Sequence, residues 1–171
     1  MVPIDRHVVL LGLMGAGKSS VGRRVAAHLD RPFLDGDVEL EARTGGPTAA
    51  DVADAEGIEH LHGLEADIAL ACLATTTPAV IAPAASVIEV ERVRAALADH
   101  LVVWLAAPAE HLAERAGRKD HRPLLDDADP VALFERQLAV REPLARAVAD
   151  LVLDVTALSK DEQADAVVAL V

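Results

Sequence analysis

The chain has 171 residues, 52% of them hydrophobic but only 2% aromatic, and a formal net charge of −12. That length suits one domain, residues 1–171, around a largely aliphatic core, and the acidity without a clustered basic patch argues against nucleic-acid binding. A lone cysteine, Cys72, excludes an internal disulfide, and with no hydrophobic leader at the start the cytosol is the expected compartment.

In chain order, "HVVLL" (7–11) is an apolar run entering a glycine-rich loop, after which Val21, Val25 and Leu29 recur at helical spacing. "PFL" (32–34) reads as a short strand. Leu61, Leu64, Ile68 and Cys72 stripe one face of a helix, so Cys72 is expected to be a buried, inert thiol. "VIA" (80–82) and "LVVWL" (101–105) are strands, Leu133, Phe134 and Leu138 mark a helix, "LVLDV" (151–155) is a last strand and 159–170 a last helix. Strands alternating with helices imply a parallel sheet covered on both faces, an α/β fold. Residues 68–88 carry no charge and are long enough to span a bilayer. "TTTP" and Pro83 interrupt them, so they read as a helix end, a turn and a strand rather than a membrane span.

The stretch "GLMGAGKSS" (12–20) carries the clearest chemistry. Gly12, Gly17, Lys18 and Ser19 match G-x-x-x-x-G-K-[ST] between a strand and a helix. Glycines let backbone N–H groups turn inward onto phosphate oxygens, and the helix N-terminus adds a favourable dipole. Lys18 is placed to neutralise β- and γ-phosphate charge, and the Ser19 hydroxyl to ligate Mg²⁺. Gly12, Gly15, Ala16, Gly17, Lys18, Ser19 and Ser20 are therefore the expected ATP-binding residues. Next, "DGD" (35–37) brings Asp35 and Asp37 to the carboxyl edge of the sheet. Phosphoryl transfer needs a metal near the phosphates and a group that orients the attacking hydroxyl, and two such carboxylates can divide these tasks. An aspartate at a helix start also serves as an N-cap.

With these two motifs in place, the chain resembles the shikimate kinase family over nearly its full length. "GLMGAGKSSVGRRVA" and "PFLDGD" look like that family's opening, "RPLL" (122–125) like its lid motif, and "REPLARAVADLVLDV" (141–155) like its late helix and final strand. The resemblance implies a phosphate-loop fold with a five-stranded parallel sheet in order 2-3-1-4-5, helices on both faces and a mobile lid at about 115–127. It places the acceptor-binding helices at about 37–74. It implies transfer of the ATP γ-phosphate to a hydroxyl of a small ring acid, in the cytoplasm and in aromatic amino acid biosynthesis, with ATP and Mg²⁺ as cofactors. The expected partners are ATP and that acceptor, with no nucleic acid or membrane, and a monomer is expected over an oligomer. Carried over by residue, Lys18 and Ser19 hold phosphates and Mg²⁺, and Asp35 helps position the metal. Asp37 orients and deprotonates the acceptor hydroxyl, and Arg122 closes onto the phosphates. Arg115 lies where the family packs an arginine against adenine, and Arg141 where it grips the substrate carboxylate. Arg141 also follows Phe134 and Leu138 at helical spacing, near a helix end expected at Pro143.

The resemblance departs on the acceptor side. In "EHLHGLE" (59–65) Glu65 is kept, but His62 stands where the family has a substrate-binding arginine and Leu61 where it has an aromatic. After the third strand the family has three glycines, and here stand Ala84, Ala85 and Ser86. Arginine grips a carboxylate through two parallel hydrogen bonds, whereas histidine offers one and is mostly neutral at pH 7. Alanine methyls fill space that glycine leaves open or forbid a positive φ. His62 and Glu65, three apart on a helix, can share a face, so Glu65 is expected to raise the His62 pKa and keep it cationic. "HLH" is not a metal motif, because His60 and His62 point to different faces. Three readings follow: a kinase of this type with a changed acceptor, a genuine shikimate kinase with an altered pocket, and a non-catalytic nucleotide-binding protein.

Overall fold

In a computed structural model, residues 5–117 and 129–171 are described and form a five-stranded sheet in the order β2-β3-β1-β4-β5. Its strands are β1 (Val8–Leu11), β2 (Phe33–Asp35), β3 (Val80–Ala82), β4 (Leu101–Ala106) and β5 (Leu151–Asp154). Every pairing is parallel. The central strands β1 and β3 are buried at every position, and β4 at all but its last. That is why they read as unbroken apolar runs: with helices packed on both faces, neither side of the strand meets water. The sheet order expected from the resemblance is the order found, and the strands match the predicted runs to within a residue or two.

The helices are α1 (Lys18–Leu29), α2 (Gly36–Thr44), α3 (Ala49–Glu56), α4 (Ile58–Leu73), α5 (Glu91–Leu97), α6 (Ala109–Gly117), α7 (Pro130–Val148) and α8 (Lys160–Val168). The Leu61, Ile68 and Cys72 stripe of α4 faces the core as its spacing predicts. Burial pushes the Cys72 thiol above its ordinary value, as an inert core cysteine requires. The core is aliphatic apart from Trp104 and Phe134, both almost fully enclosed. No helix among the described residues is long and apolar enough to cross a membrane.

Two local expectations need correction. Helix α7 runs through Pro143 to Val148 instead of ending near it. A proline removes one backbone donor within a helix, and here the flanking turns carry the helix past it. Arg141 is therefore well inside a 19-residue helix. The second correction concerns the small residues after β3. They form a short 3-10 turn, Ala85–Glu89, rather than a loop that needs glycine. The only non-glycine residue with positive φ among the described residues is Asp30, so Ala84, Ala85 and Ser86 sit in ordinary backbone conformations.

Candidate active site

The order of the sheet decides where a ligand binds. β1 and β3 are neighbours, and the chain leaves β1 toward β2 on one side but leaves β3 toward β4 on the other, so a crevice opens beyond the carboxyl ends of β1 and β3. The phosphate loop follows β1 at this crevice, and the Ala84–Ser86 segment follows β3.

Gly15 and Gly17 adopt φ of 87° and 95°, a conformation that L side chains rarely tolerate, and it is these two residues that let the loop curl. Lys18 opens α1 and donates from Nζ to the Gly12 carbonyl at 2.8 Å, closing its side chain back over the start of the loop. Ser20 Oγ accepts from Arg24 Nη1 at 2.9 Å, one turn further along α1. The next residue back, Ser19, donates from Oγ to Asp35 Oδ2 at 2.6 Å. Asp35 ends β2 and is buried. Its other oxygen accepts from Asp37 N at 3.2 Å and so caps α2. Asp35 thus caps a helix with one oxygen while the other meets Ser19. A hydroxyl and a carboxylate this close form a hard, all-oxygen donor pair of the kind Mg²⁺ takes alongside waters and phosphates. Among the described residues no cluster of three or more His, Cys, Asp or Glu could hold a metal ion.

The α2 helix starts so close to β3 that Gly36 has no room for a side chain. A methyl there would lie 3.0 Å from Ala84 N and 3.3 Å from Ala82 O. This close backbone approach holds Asp35 and Asp37 against the end of β3. Gly36, Glu65, Pro83 and Ala84 then line a narrow cleft whose floor is Ile68, Ala69, Cys72 and Ile81. Sequence reasoning missed Gly36, whose signal was the glycine between two aspartates in "DGD".

On the far wall stand Glu65, His62 and Arg141. The buried Ser86 hydroxyl donates to Glu65 Oε2 in a very short hydrogen bond. Burial holds the Glu65 carboxyl above its ordinary value; the Ser86 bond opposes that, nearby Asp37 adds to it, and Arg141 and Lys18 act the other way. Asp37, Lys18 and Arg141 thus all lie near enough to act electrostatically on this one carboxyl. Arg141, whose side chain is 11% exposed, donates from Nε to Glu89 Oε1 at 2.5 Å and from Nη1 to Gln137 Oε1 at 3.3 Å.

The expected pairing of His62 with Glu65 is not the one found. Glu65 is taken by Ser86, and His62 is influenced instead by Arg141 and Glu89. Burial first, then the Arg141 charge, lower the His62 pKa below its ordinary value, with Glu89 opposing. The imidazole is therefore neutral at pH 7. It is half-buried rather than fully exposed. His60, by contrast, sits on the outer face of α4 and bonds Glu56 at 2.9 Å, as the reading of "HLH" requires. Arg115 is exposed at the end of α6. Arg122 and most of the expected lid lie outside the described residues. Two residues that sequence reasoning did not single out contact these elements: Glu89, which accepts from Arg141, and Lys160, which reaches from α8 to the Ala16 carbonyl of the phosphate loop.

Comparison with known proteins agrees with this geometry. The profile of the family described as "Shikimate kinase" matches residues 14–171. The shikimate kinase of Nitrobacter winogradskyi is 39% identical over 157 residues, which cover 91% of this chain and 70% of that protein. The shikimate kinase of Chromobacterium violaceum is 38% identical over 157 residues, 91% of this chain and 84% of that protein. Among solved structures, the Acinetobacter baumannii shikimate kinase in complex with shikimate superposes with a TM-score of 0.85 at 30% identity, covering 96% of this chain and 90% of that one. A gluconokinase from Sinorhizobium meliloti, with a TM-score of 0.63 at 24% identity, shares the fold. With a phosphate loop, an acidic pair and an enclosed arginine arranged around one crevice, and with relatives that match over about nine-tenths of its length, this chain belongs to the shikimate kinase family, kinases that use ATP and Mg²⁺.

Proposed function

We propose that the chain phosphorylates shikimate itself, rather than a different ring acid, and so serves aromatic amino acid biosynthesis. The observation that carries this reading is the placement of Arg141. Its guanidinium is enclosed, pre-oriented by Glu89 and Gln137, and electrostatically linked to the same Glu65 that faces Asp37 and Lys18. A small acid whose carboxylate meets Arg141 then has its ring over the cleft beside Gly36 and Ala84, with a hydroxyl toward Asp37. The departures at 84–86 do not oppose this. The turn there requires no glycine, and Ser86 is directed to Glu65 rather than into the crevice's entrance.

In this mechanism the loop amides and Lys18 hold the nucleotide phosphates, and Ser19 with Asp35 would hold the metal. Mg²⁺ held there would neutralise charge on the phosphoryl oxygens during transfer. Asp37 accepts a hydrogen bond from the attacking hydroxyl and takes its proton as that oxygen bonds the γ-phosphorus and the bond from the γ-phosphorus to the bridging oxygen of ADP breaks. Glu65 stays bonded to Ser86 and so leaves the acceptor's carboxylate to Arg141. His62, neutral at pH 7, donates one hydrogen bond at most on that side. The third reading, a non-catalytic protein, is set aside because the nucleotide side, Asp37 and the family membership all favour turnover.

The decisive experiment is ATP turnover with shikimate beside a panel of other hydroxylated ring acids and polyols. Shikimate is expected to give the highest kcat/KM. Efficient turnover of another acid with none of shikimate would refute the proposal.

A further inference from the structure

His7 precedes β1 at the amino end of the sheet, the end away from the crevice, and is 4% exposed. Both of its ring nitrogens meet the connection between α4 and β3. Nδ1 accepts from the Ala79 N–H at 3.0 Å, and Nε2 lies 3.0 Å from the Thr75 carbonyl oxygen. The backbone dictates the form of this ring. An amide N–H can only donate and a carbonyl can only accept, so Nδ1 is bare and Nε2 carries the single proton. Thr75 also donates its hydroxyl to the Cys72 carbonyl in the last turn of α4, at 2.8 Å, and the Ala79 carbonyl accepts from Val8 N at 3.0 Å. His7 therefore ties the end of α4 and the start of β3 to the start of β1.

A second histidine packs against the first. The His100 ring lies 4.7 Å from that of His7, centroid to centroid, at a tilt of 48°. His100 precedes β4, and its Nδ1 is enclosed with no hydrogen-bond partner among the described residues. Few charges face the pair. Arg6 and His7 disfavour a positive charge on His100, Asp99 favours one, and the connection "TTTPA" (75–79) carries no ionisable side chain. Burial is the largest influence, and it holds the His100 pKa below its ordinary value. A proton added to either ring meets an obstacle that an exposed histidine does not. On His7 Nδ1 it sets one donor against another at Ala79. On His100 it leaves an enclosed N–H with nothing to accept it.

We propose that His7 and His100 form a pH-sensitive clasp on the 75–79 connection, closed while both rings are neutral and opened when the pair takes up protons. Opening parts Nδ1 from Ala79 and Nε2 from Thr75, and rings released to solvent titrate as ordinary histidines, near pH 6.5. The open form thus binds protons that the closed form resists. Closure is favoured in full above about pH 6.5, and that advantage is lost as pH falls from there toward the lowered His100 value. For each proton taken up, the opening equilibrium shifts by about tenfold per pH unit across that window. The clasp works independently of the acceptor and nucleotide sites, at the opposite end of the strands.

The test is amide hydrogen exchange of the full chain, read by NMR between about pH 7.5 and 5 and corrected for the intrinsic pH dependence of exchange. Protection of the Ala79 N–H is expected to fall by about tenfold or more per pH unit below about pH 6.5. The Val155 N–H, bonded to the Ala106 carbonyl at the other end of the sheet, should keep its protection. Nitrogen spectra at the upper pH should show His7 with Nδ1 bare and Nε2 protonated. His7→Asn keeps an oxygen to accept from Ala79 but does not titrate, so its Ala79 protection should not vary with pH. His100→Phe keeps a ring against His7 and removes one titrating group, so the fall should be shallower than in the unmodified protein. Thermal melting at the upper pH checks that each variant is folded, and His100→Phe carries the test should His7→Asn fail to fold. Ala79 protection that stays flat in the unmodified protein, a fall as steep in either folded variant, an equal loss at Val155, or a proton found on His7 Nδ1 would each overturn the proposal.

Discussion

His62→Arg adds a second guanidinium to the wall that receives the acceptor's carboxylate. In the unmodified protein that wall has one permanent cation, Arg141. Its Nε is committed to Glu89 at 2.5 Å and its Nη1 to Gln137 at 3.3 Å, so only part of the fork is available to an incoming acid. His62 does not make up the difference, because burial and Arg141 both hold it neutral at pH 7. A new arginine meets two opposing charges. Unit charges about 6 Å apart exchange roughly 3 kcal/mol at an effective dielectric of 20, so repulsion by Arg141 and attraction by Glu89 cancel to first order. What remains is the carboxylate contact, for which removal of one partner typically costs ~2–5 kcal/mol. The lower end suits a half-buried position, and ~2 kcal/mol is roughly 30-fold in affinity. The KM for shikimate should therefore fall about 30-fold, with kcat and the KM for ATP changed little. Steady-state ADP release at pH 7 measures all three. The pH dependence supplies a second readout. Carboxylate binding favours the charged imidazole, so the shikimate KM of the unmodified protein should improve as pH drops from 7 toward 5, and that improvement should vanish in His62→Arg. The cancellation has its own control: in Glu89→Gln the repulsion between the new cation and Arg141 is no longer offset, and the gain should disappear. An unchanged or higher shikimate KM in His62→Arg, with Glu89 intact, refutes the placement of the carboxylate between residues 62 and 141.

Three further outcomes follow from contacts already described. Asp35→Asn keeps a good N-cap for α2, since asparagine caps as well as aspartate, but it removes a charged oxygen beside Ser19. Thermal stability should therefore hold within about 0.5 kcal/mol, while the Mg²⁺ concentration for half-maximal turnover rises at least ~tenfold; an unchanged Mg²⁺ requirement counts against the metal assignment. Ser86→Ala strips the enclosed Glu65 carboxylate of its hydroxyl donor, which should cost about 1–3 kcal/mol at pH 7 to 8. Because the Glu65 pKa is raised in the folded state, that cost is full above the folded value and fades as pH falls toward the unfolded one. Urea denaturation at pH 8 and at pH 4.5 should show the difference shrinking, and a pH-independent loss would argue that packing is responsible. Gly36→Ala drives a methyl against the Ala84 and Ala82 backbone, which cannot swing away like a side chain. It should destabilise by about 1–3 kcal/mol and lower kcat by displacing the acidic pair. A melting temperature equal to that of the unmodified protein would show that the two segments have slack.

The parts of this fold that were legible in the sequence are those fixed by local pattern. Strands buried on both faces announce themselves as apolar runs, and the phosphate loop carries its glycines, lysine and serine within a few residues. The parts that were not legible depend on partners distant in the chain. Glu65 was assigned to His62 because helical spacing puts them on a shared face; the fold gives it to Ser86, 21 positions away. Glu89 looks like any surface glutamate until α7 brings Arg141 to it across 52 positions. Pro143 was read as a helix end from its chemistry alone, yet the helix continues past it. The alanines after β3 were read as a defect in a glycine turn, because sequence cannot say which positions take positive φ. Here none of them does.

The bond between Lys160 and the phosphate loop joins residues 144 positions apart. During synthesis the loop leaves the ribosome early, but its α8 wall follows only after those intervening residues are made, roughly 7 to 30 s later at ordinary elongation rates of about 5–20 residues per second. For that interval the nascent chain carries its sequence signature for ATP without the complete receptacle for it. The packing of α8 along α1 is thus among the last contacts the chain can make, and a nascent segment stalled before α8 leaves that side of the loop uncovered.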